Sequence, residues 1–232
     1  MQSLSRLALA AALSVATLSA QAALVNRGNG MIYDTVQNIT WLADMNHAVT
    51  SGYAAANAGG SGSNLILTDG RMGWGAATAW ANDLVYRGLR GWRLPTLNPL
   101  DASCMGGLVV GGYNCTGGEL SRLFVTDLGN QGASSVLDQT GDTAEQIANL
   151  ALFSNVLSFS YWSGTEDSPN SNSAWYFFTF DGLQTRAGKA SAMYAVAVRP
   201  GDVAASVPEP QTLALVLLAL GATMVVRRRR PH

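Results

Sequence analysis

An α+β domain with its chain ends brought together is the fold the sequence predicts. Three observations carry it. Short runs of β-formers open the region after an apolar leader, helical periodicity and glycine-rich loops occupy the middle, and the last third is dense in aromatic and β-branched residues. The sequence of hairpin, then helices and loops, then a strand-rich meander keeps strands and helices apart along the chain instead of alternating them.

The elements follow in order. Residues 31–33 and 39–42 are β-forming runs separated by Asp34, Gln37 and Asn38, which predicts an opening hairpin. Residues 50–70 are rich in Gly, Ser, Ala and Asn and predict a mobile surface excursion; Ala54-Ala55-Ala56 allows one helical turn, and Gly59, Gly60 and Gly62 oppose anything longer. Residues 74–88 have helical periodicity, with Trp74, Ala77, Ala81, Leu84 and Val85 on one face and Gly88 as the stop. Pro95 then forbids a helix and holds Leu94 extended. A second helix is predicted over 119–128, after the glycine-rich loop that contains Cys104 and Cys115, and a third over 143–153, capped by Asp142 or Thr143. Strands are predicted over 159–163, 174–180 and 192–198, with Asp181-Gly182 as a two-residue hairpin turn between Phe180 and Leu183.

Both ends of the chain predict export. Arg6, an apolar run over 7–18, and Ala20-Gln21-Ala22 form a signal peptide over 1–22, with signal peptidase cutting after Ala22. A buried helix would need a polar face, and that run offers only Ser14 and Thr17. At the other end, Pro208-Glu209-Pro210 precedes an apolar stretch over 212–226 and the cluster Arg227-Arg228-Arg229-Arg230. As a transmembrane helix that stretch reaches about 22 Å at roughly 1.5 Å per residue, short of a hydrocarbon core of roughly 30 Å, so it makes a marginal permanent anchor. The arginines would stay in the cytoplasm, which leaves residues 23–207 outside.

Composition narrows the function of that single domain. Residues 23–207 hold 9 of the chain's 14 Lys and Arg but 14 of its 15 Asp and Glu, a net charge of about −5, and no basic stripe suits a nucleic acid partner. His47 is the only histidine there, so a Ser-His-Asp or Cys-His nucleophile would have to be built around it, and no nucleophile-elbow motif accompanies it. The two cysteines lack the close ligand spacings of a zinc site. In an exported chain they predict a disulfide instead, worth about 3 kcal/mol in the chain-entropy picture.

Two resemblances sharpen this reading. Motif, helix and basic cluster over 207–230 resemble the PEP-CTERM sorting signal, which implies a sorting enzyme of the exosortase type that cuts near Pro208-Glu209-Pro210. The implied course is an inner-membrane-anchored precursor, then the cell surface or extracellular matrix of a Gram-negative bacterium that makes an exopolysaccharide. Over roughly 30–201, an ordered series resembles the Lcl C-terminal domain family: Ile39-Thr40-Trp41-Leu42, a helix with Trp80, Gly91-Trp92-Arg93-Leu94-Pro95-Thr96, Tyr161-Trp162-Ser163-Gly164-Thr165-Glu166, Ala174-Trp175 and Ala197-Val198-Arg199-Pro200. The resemblance implies a C-type-lectin-like fold, with a mixed or antiparallel sheet, flanking helices and long loops, shared with formylglycine-generating enzymes. Relatives often carry a glutamate three residues after the Pro-Thr pair, where this chain has Pro99. The calcium-sugar motifs of true C-type lectins are absent too.

Trp92 and Trp162 are expected in the core, and Trp175, beside a polar loop, less so. Arg93 and Arg199 are expected to pair with Asp34, Asp83 or Glu166. The loop with Glu166, Asp167, Asn170 and Asn172, next to Trp175, is the candidate ligand site: its carboxylates and amides suit sugar hydroxyls and are the hard oxygens calcium prefers. The expected function is a noncatalytic surface or matrix protein that binds extracellular polysaccharide or another surface component. The alternatives are an oxidoreductase resembling the formylglycine-generating group, with Cys104 and Cys115 holding copper, and a purely structural envelope protein.

Overall fold

β-Formers from the two ends of the domain pair with one another in the computed structural model, which describes residues 23–106, 110–168 and 170–203. The predicted signal peptide, 1–22, and the Pro208-Glu209-Pro210 tail lie outside the described residues. Among the described residues no helix is long and apolar enough to cross a membrane.

One antiparallel sheet has the order β1-β2-β3-β8, formed by β1 (Leu24–Gly28), β2 (Met31–Asp34), β3 (Ile39–Leu42) and β8 (Val198–Pro200). The β2–β3 hairpin is the predicted one. Asp34 builds its turn by accepting from the Val36 and Gln37 backbone N–H groups, both at 2.9 Å. Through β8 the end of the domain meets its beginning, and Arg27 clasps Asp202 at 2.6 and 2.9 Å. β1 was not expected: its five residues adjoin the apolar leader and carry little pattern of their own.

The second sheet has the order β4-β7-β6-β5 and is also antiparallel: β4 (Gly112–Tyr113), β7 (Leu183–Gly188), β6 (Ser173–Phe178) and β5 (Ser160–Glu166). Its β6–β7 hairpin pairs Phe178 with Leu183, so the connection has four residues, 179–182, and not two. Thr179 is drawn out of the ladder: its N–H donates to the Phe159 carbonyl at 3.0 Å, and its carbonyl accepts from Val136 at 2.8 Å. The strand expected over 192–198 forms only at Val198–Pro200. Before it the chain steps between the sheets, bonding to β5 through Tyr194 and to β3 through Ala197.

The helices are short: α1 (His47–Thr50), α2 (Tyr53–Ala56), α3 (Trp74–Asp83), α4 (Glu119–Ser121) and α5 (Ala144–Leu150). α3 stops at Asp83, five residues before the expected end, because Leu84 is extended and Tyr86 and Leu89 close a turn. Its buried face is Ala76, Ala77, Trp80 and Ala81, rotated from the expected one, which leaves Val85 exposed. α4 widens into a π-helical stretch, Arg122–Asp127, that buries the consecutive Leu123, Phe124 and Val125. α5 is capped by Thr143, which exchanges hydrogen bonds with Gln146 at 2.9 and 3.2 Å. Residues 50–70 are part of the fold and not a free excursion. Gly59 and Ile66 exchange both backbone bonds, and α3 begins so close to this segment that a Cβ on Gly73 would lie 2.5 Å from the Ser63 carbonyl.

Two apolar clusters result. One gathers Trp41, Phe124, Tyr161, Trp175 and Phe177; the other gathers Trp80, Trp92, Trp162 and Ala76, Ala77 and Ala81 of α3. Trp92 and Trp162 are core residues, as expected. Arg93 is not paired with Asp34, Asp83 or Glu166. Both of its terminal nitrogens grip Glu119, at 2.6 and 2.7 Å, and the same carboxylate accepts the Thr96 N–H at 2.8 Å. Burial pushes the Glu119 carboxyl up, but the bonds from Arg93 and Thr96 outweigh it and hold it below its ordinary value. Arg199 makes no ion pair among the described residues.

Candidate functional site

β6 and β7 set Trp175 and Arg186 directly opposite each other, so both side chains leave the sheet on one face. Asp167, one residue past β5, is buried and ion-paired with Arg186, whose own side chain stays about one-third exposed. Above them runs the segment 98–100, tied down where the Gln184 side-chain amide donates to the Asn98 carbonyl at 2.7 Å. A groove of about 650 Å³ lies between, with Pro99, Leu100 and Val110 as apolar walls and Asp167, Ser168 and Arg186 as polar ones. Trp175 lines it at 4% exposure, and its buried indole N–H has no partner among the described residues.

Of the five residues expected to bind ligand, only Asp167 and Trp175 line this groove. Glu166 turns away to Lys189, at 2.5 Å, and that ammonium sits 4.4 Å over the Trp74 ring. Asn170 shapes the turn, with its side chain bonded to the Ser173 hydroxyl at 3.2 Å and to the Asn172 N–H at 3.1 Å. Asn172 accepts the Lys189 N–H through its carbonyl at 2.9 Å. The two carboxylates considered for calcium are each paired with a cation of their own, Asp167 with Arg186 and Glu166 with Lys189. Arg186, Pro99 and Leu100 were missed. The sequence signal for Arg186 was the hairpin register, but a two-residue turn would have paired Trp175 with Gly188.

Cys104 and Cys115 form the expected disulfide. They are the members, with Asp101, of the His, Cys, Asp and Glu group close enough among the described residues to share an ion, and a disulfide leaves neither a thiolate to offer. The loop they close carries Val110 and Gly111 of the groove wall. Its base is pinned by Asp101, which accepts from Ser103 at 2.7 and 2.9 Å and from the Gly117 N–H at 2.6 Å. His47 has its Nδ1 3.4 Å from the Thr50 hydroxyl and 3.8 Å from Asp44. Thr50 gives its hydrogen to Asp44, not to the imidazole, which is the reverse of an activated nucleophile. Burial raises the Asp44 carboxyl, yet bonds from His47, Thr50 and Asn155 overcome this and keep it ionised.

No curated protein and no solved structure matches the chain. The model of the Lcl C-terminal domain matches residues 30–199, which runs from the turn before β2 to Arg199 in β8 and takes in the second sheet, the first sheet apart from β1 and Pro200, the tryptophans of both clusters and the groove. The chain therefore belongs to the Lcl C-terminal domain family.

Proposed function

We propose that this chain is an exported, noncatalytic surface or matrix protein that binds extracellular polysaccharide in the groove between Trp175, Asp167, Arg186 and the 98–100 segment. The observation that carries the reading is the groove's mixture of chemistry. Pro99, Leu100 and Val110 offer the apolar contact that the C–H face of a sugar ring needs. Asp167 accepts and Arg186 donates hydrogen bonds, and the unpartnered Trp175 N–H adds a donor that a sugar hydroxyl would satisfy. At its low exposure Trp175 contributes an edge and a donor, not a broad stacking face.

The noncatalytic part is supported by the disulfide, which occupies both cysteines of the copper alternative, and by the direction of the Thr50 hydrogen bond. Export rests on the two ends of the sequence. In this reading signal peptidase removes 1–22, the 212–226 helix holds a precursor in the inner membrane, and an exosortase-type enzyme cuts near Pro208-Glu209-Pro210. A C-type-lectin-like arrangement of the two sheets and long loops fits the same reading. A glycan array with residues 23–207 tests the binding: a polysaccharide retained by the native protein and lost by Arg186→Gln supports it, and an array without any glycan bound by the native protein refutes it. Intact mass of surface-fraction protein tests the sorting, which retention of residues 227–230 would contradict.

A further inference from the structure

A second pocket, of about 450 Å³, lies on the other sheet, where β1 and β8 meet the turn after α3. Arg27, Arg87 and Arg199 all line it. That places three of the nine Lys and Arg of residues 23–207 in one cavity of an otherwise acidic domain. Among the described residues Asp202 is the one carboxylate in its lining, and both its oxygens are spent on Arg27, at 2.6 and 2.9 Å. Arg87 gives its Nε–H to the Asn29 carbonyl at 2.9 Å, a neutral acceptor. Arg199 has a buried Nε with no hydrogen-bond partner and makes no ion pair among the described residues. A guanidinium drawn partly out of water without a counter-charge costs stability unless an anion completes it.

We infer that this pocket binds a phosphate group. With Asp202 set against Arg27, two positive charges remain, enough to offset the roughly −1.5 to −2 of a phosphate monoester or the single charge of a phosphodiester headgroup at neutral pH. The guanidinium forks of Arg87 and Arg199 supply paired N–H donors of the geometry that tetrahedral phosphate oxygens accept. The phosphate can come from a soluble phosphorylated molecule or from a lipid headgroup. Val203, the last described residue, lines the pocket, and eight residues, 204–211, separate it from the apolar stretch that begins at Thr212, a reach of at most about 30 Å. While that tail is in a membrane, headgroups are within range.

Titration calorimetry of the full chain in detergent, with inorganic phosphate and with glucose 1-phosphate, should give saturable binding that Arg199→Gln weakens about tenfold or more. Arg87→Gln, at an exposed position, should weaken it as well without disturbing the fold, so the test stands even if Arg199→Gln does not fold. Asp202→Asn, which releases Arg27, should tighten binding. Arg71→Gln removes the same charge from an ion pair with Asp69 outside the pocket and should change nothing. Co-sedimentation with phosphatidylcholine vesicles, with and without phosphatidylglycerol, separates the sources. If Arg87→Gln lowers only the phosphatidylglycerol-dependent part the ligand is a headgroup, and if it lowers only glucose 1-phosphate binding the ligand is soluble. The assignment is overturned if neither free phosphates nor phosphatidylglycerol bind, or if Arg87→Gln and Arg199→Gln bind as well as Arg71→Gln.

Discussion

Trp92 and Trp175 are nearly equally buried, at 2% and 4% exposure, but they sit in regions of different character. Around Trp92 the polar groups are met: its indole N–H donates to Leu89 at 3.1 Å, that of Trp162 to Met72 at 2.8 Å, and that of Trp74 to Ser163 at 2.8 Å. Around Trp175 the sheet face is open to a groove, and neither its N–H nor the Gln184 Oε1 has a partner among the described residues. Burial alone does not distinguish a packing tryptophan from a recognition one. Under the proposed function the state of the polar atom together with the adjoining space makes the distinction, because an unmet buried donor costs free energy that a ligand hydroxyl would recover.

The largest effect that could break this contrast is on the packed side. Trp92→Ala should cost roughly 3–5 kcal/mol in denaturant unfolding, the range for truncating a buried tryptophan. A loss below about 1 kcal/mol would show that this layer is not the rigid one. Next comes the disulfide, which tethers the loop holding Val110 and Gly111. Replacing both cysteines with serine should remove about 3 kcal/mol. Glycan binding should survive, because β4 still pairs Gly112 with Gln184 and Tyr113 with Leu183; a complete loss of binding would mean that the tether, not the sheet, positions the wall.

Asp127 sharpens the contrast from the other direction. It is buried with one carboxylate oxygen unpartnered among the described residues but lines neither the groove nor the arginine pocket, and Arg122 is 3.7 Å away. Here a proton, not a ligand, meets the deficit once the pH falls below about 6: burial raises the carboxyl from 3.8 to about 6 despite Arg122. Between those values the folded protein keeps a proton that the unfolded chain has released, so this residue's contribution to stability falls as pH rises through the window. Asp127→Asn should therefore stabilise at pH 7 by about 1–3 kcal/mol and make little difference at pH 4, which thermal melts at the two values would measure. The smallest effect belongs to the outer loop. Glu166→Ala combined with Asn170→Ala should change stability by about 0.5 kcal/mol or less and leave glycan binding intact. If that pair abolishes binding while Arg186→Gln spares it, recognition lies on the loop and not in the groove.

Local chemistry made several parts legible without coordinates. The β2–β3 hairpin, the Thr143 cap, the inward-facing Trp92 and Trp162 and the cysteine pairing each follow from residues a few positions apart or from the short inventory of thiols. The candidate site was half legible: Asp167 and Trp175 could be found because they flank a polar loop in an aromatic strand. Arg186 could not, since its place opposite Trp175 depends on the β6–β7 register, and that register is set when Phe159 and Val136 claim Thr179 and lengthen the turn to four residues. Arg93 likewise takes Glu119, 26 residues on, across the disulfide loop. The sequence by itself determined which stretches pair locally and which large side chains must leave water, because periodicity and capping act within a turn or a strand. Only the tertiary structure decided register, ion-pair partners and which polar atoms stay unmet, because these depend on contacts between distant segments.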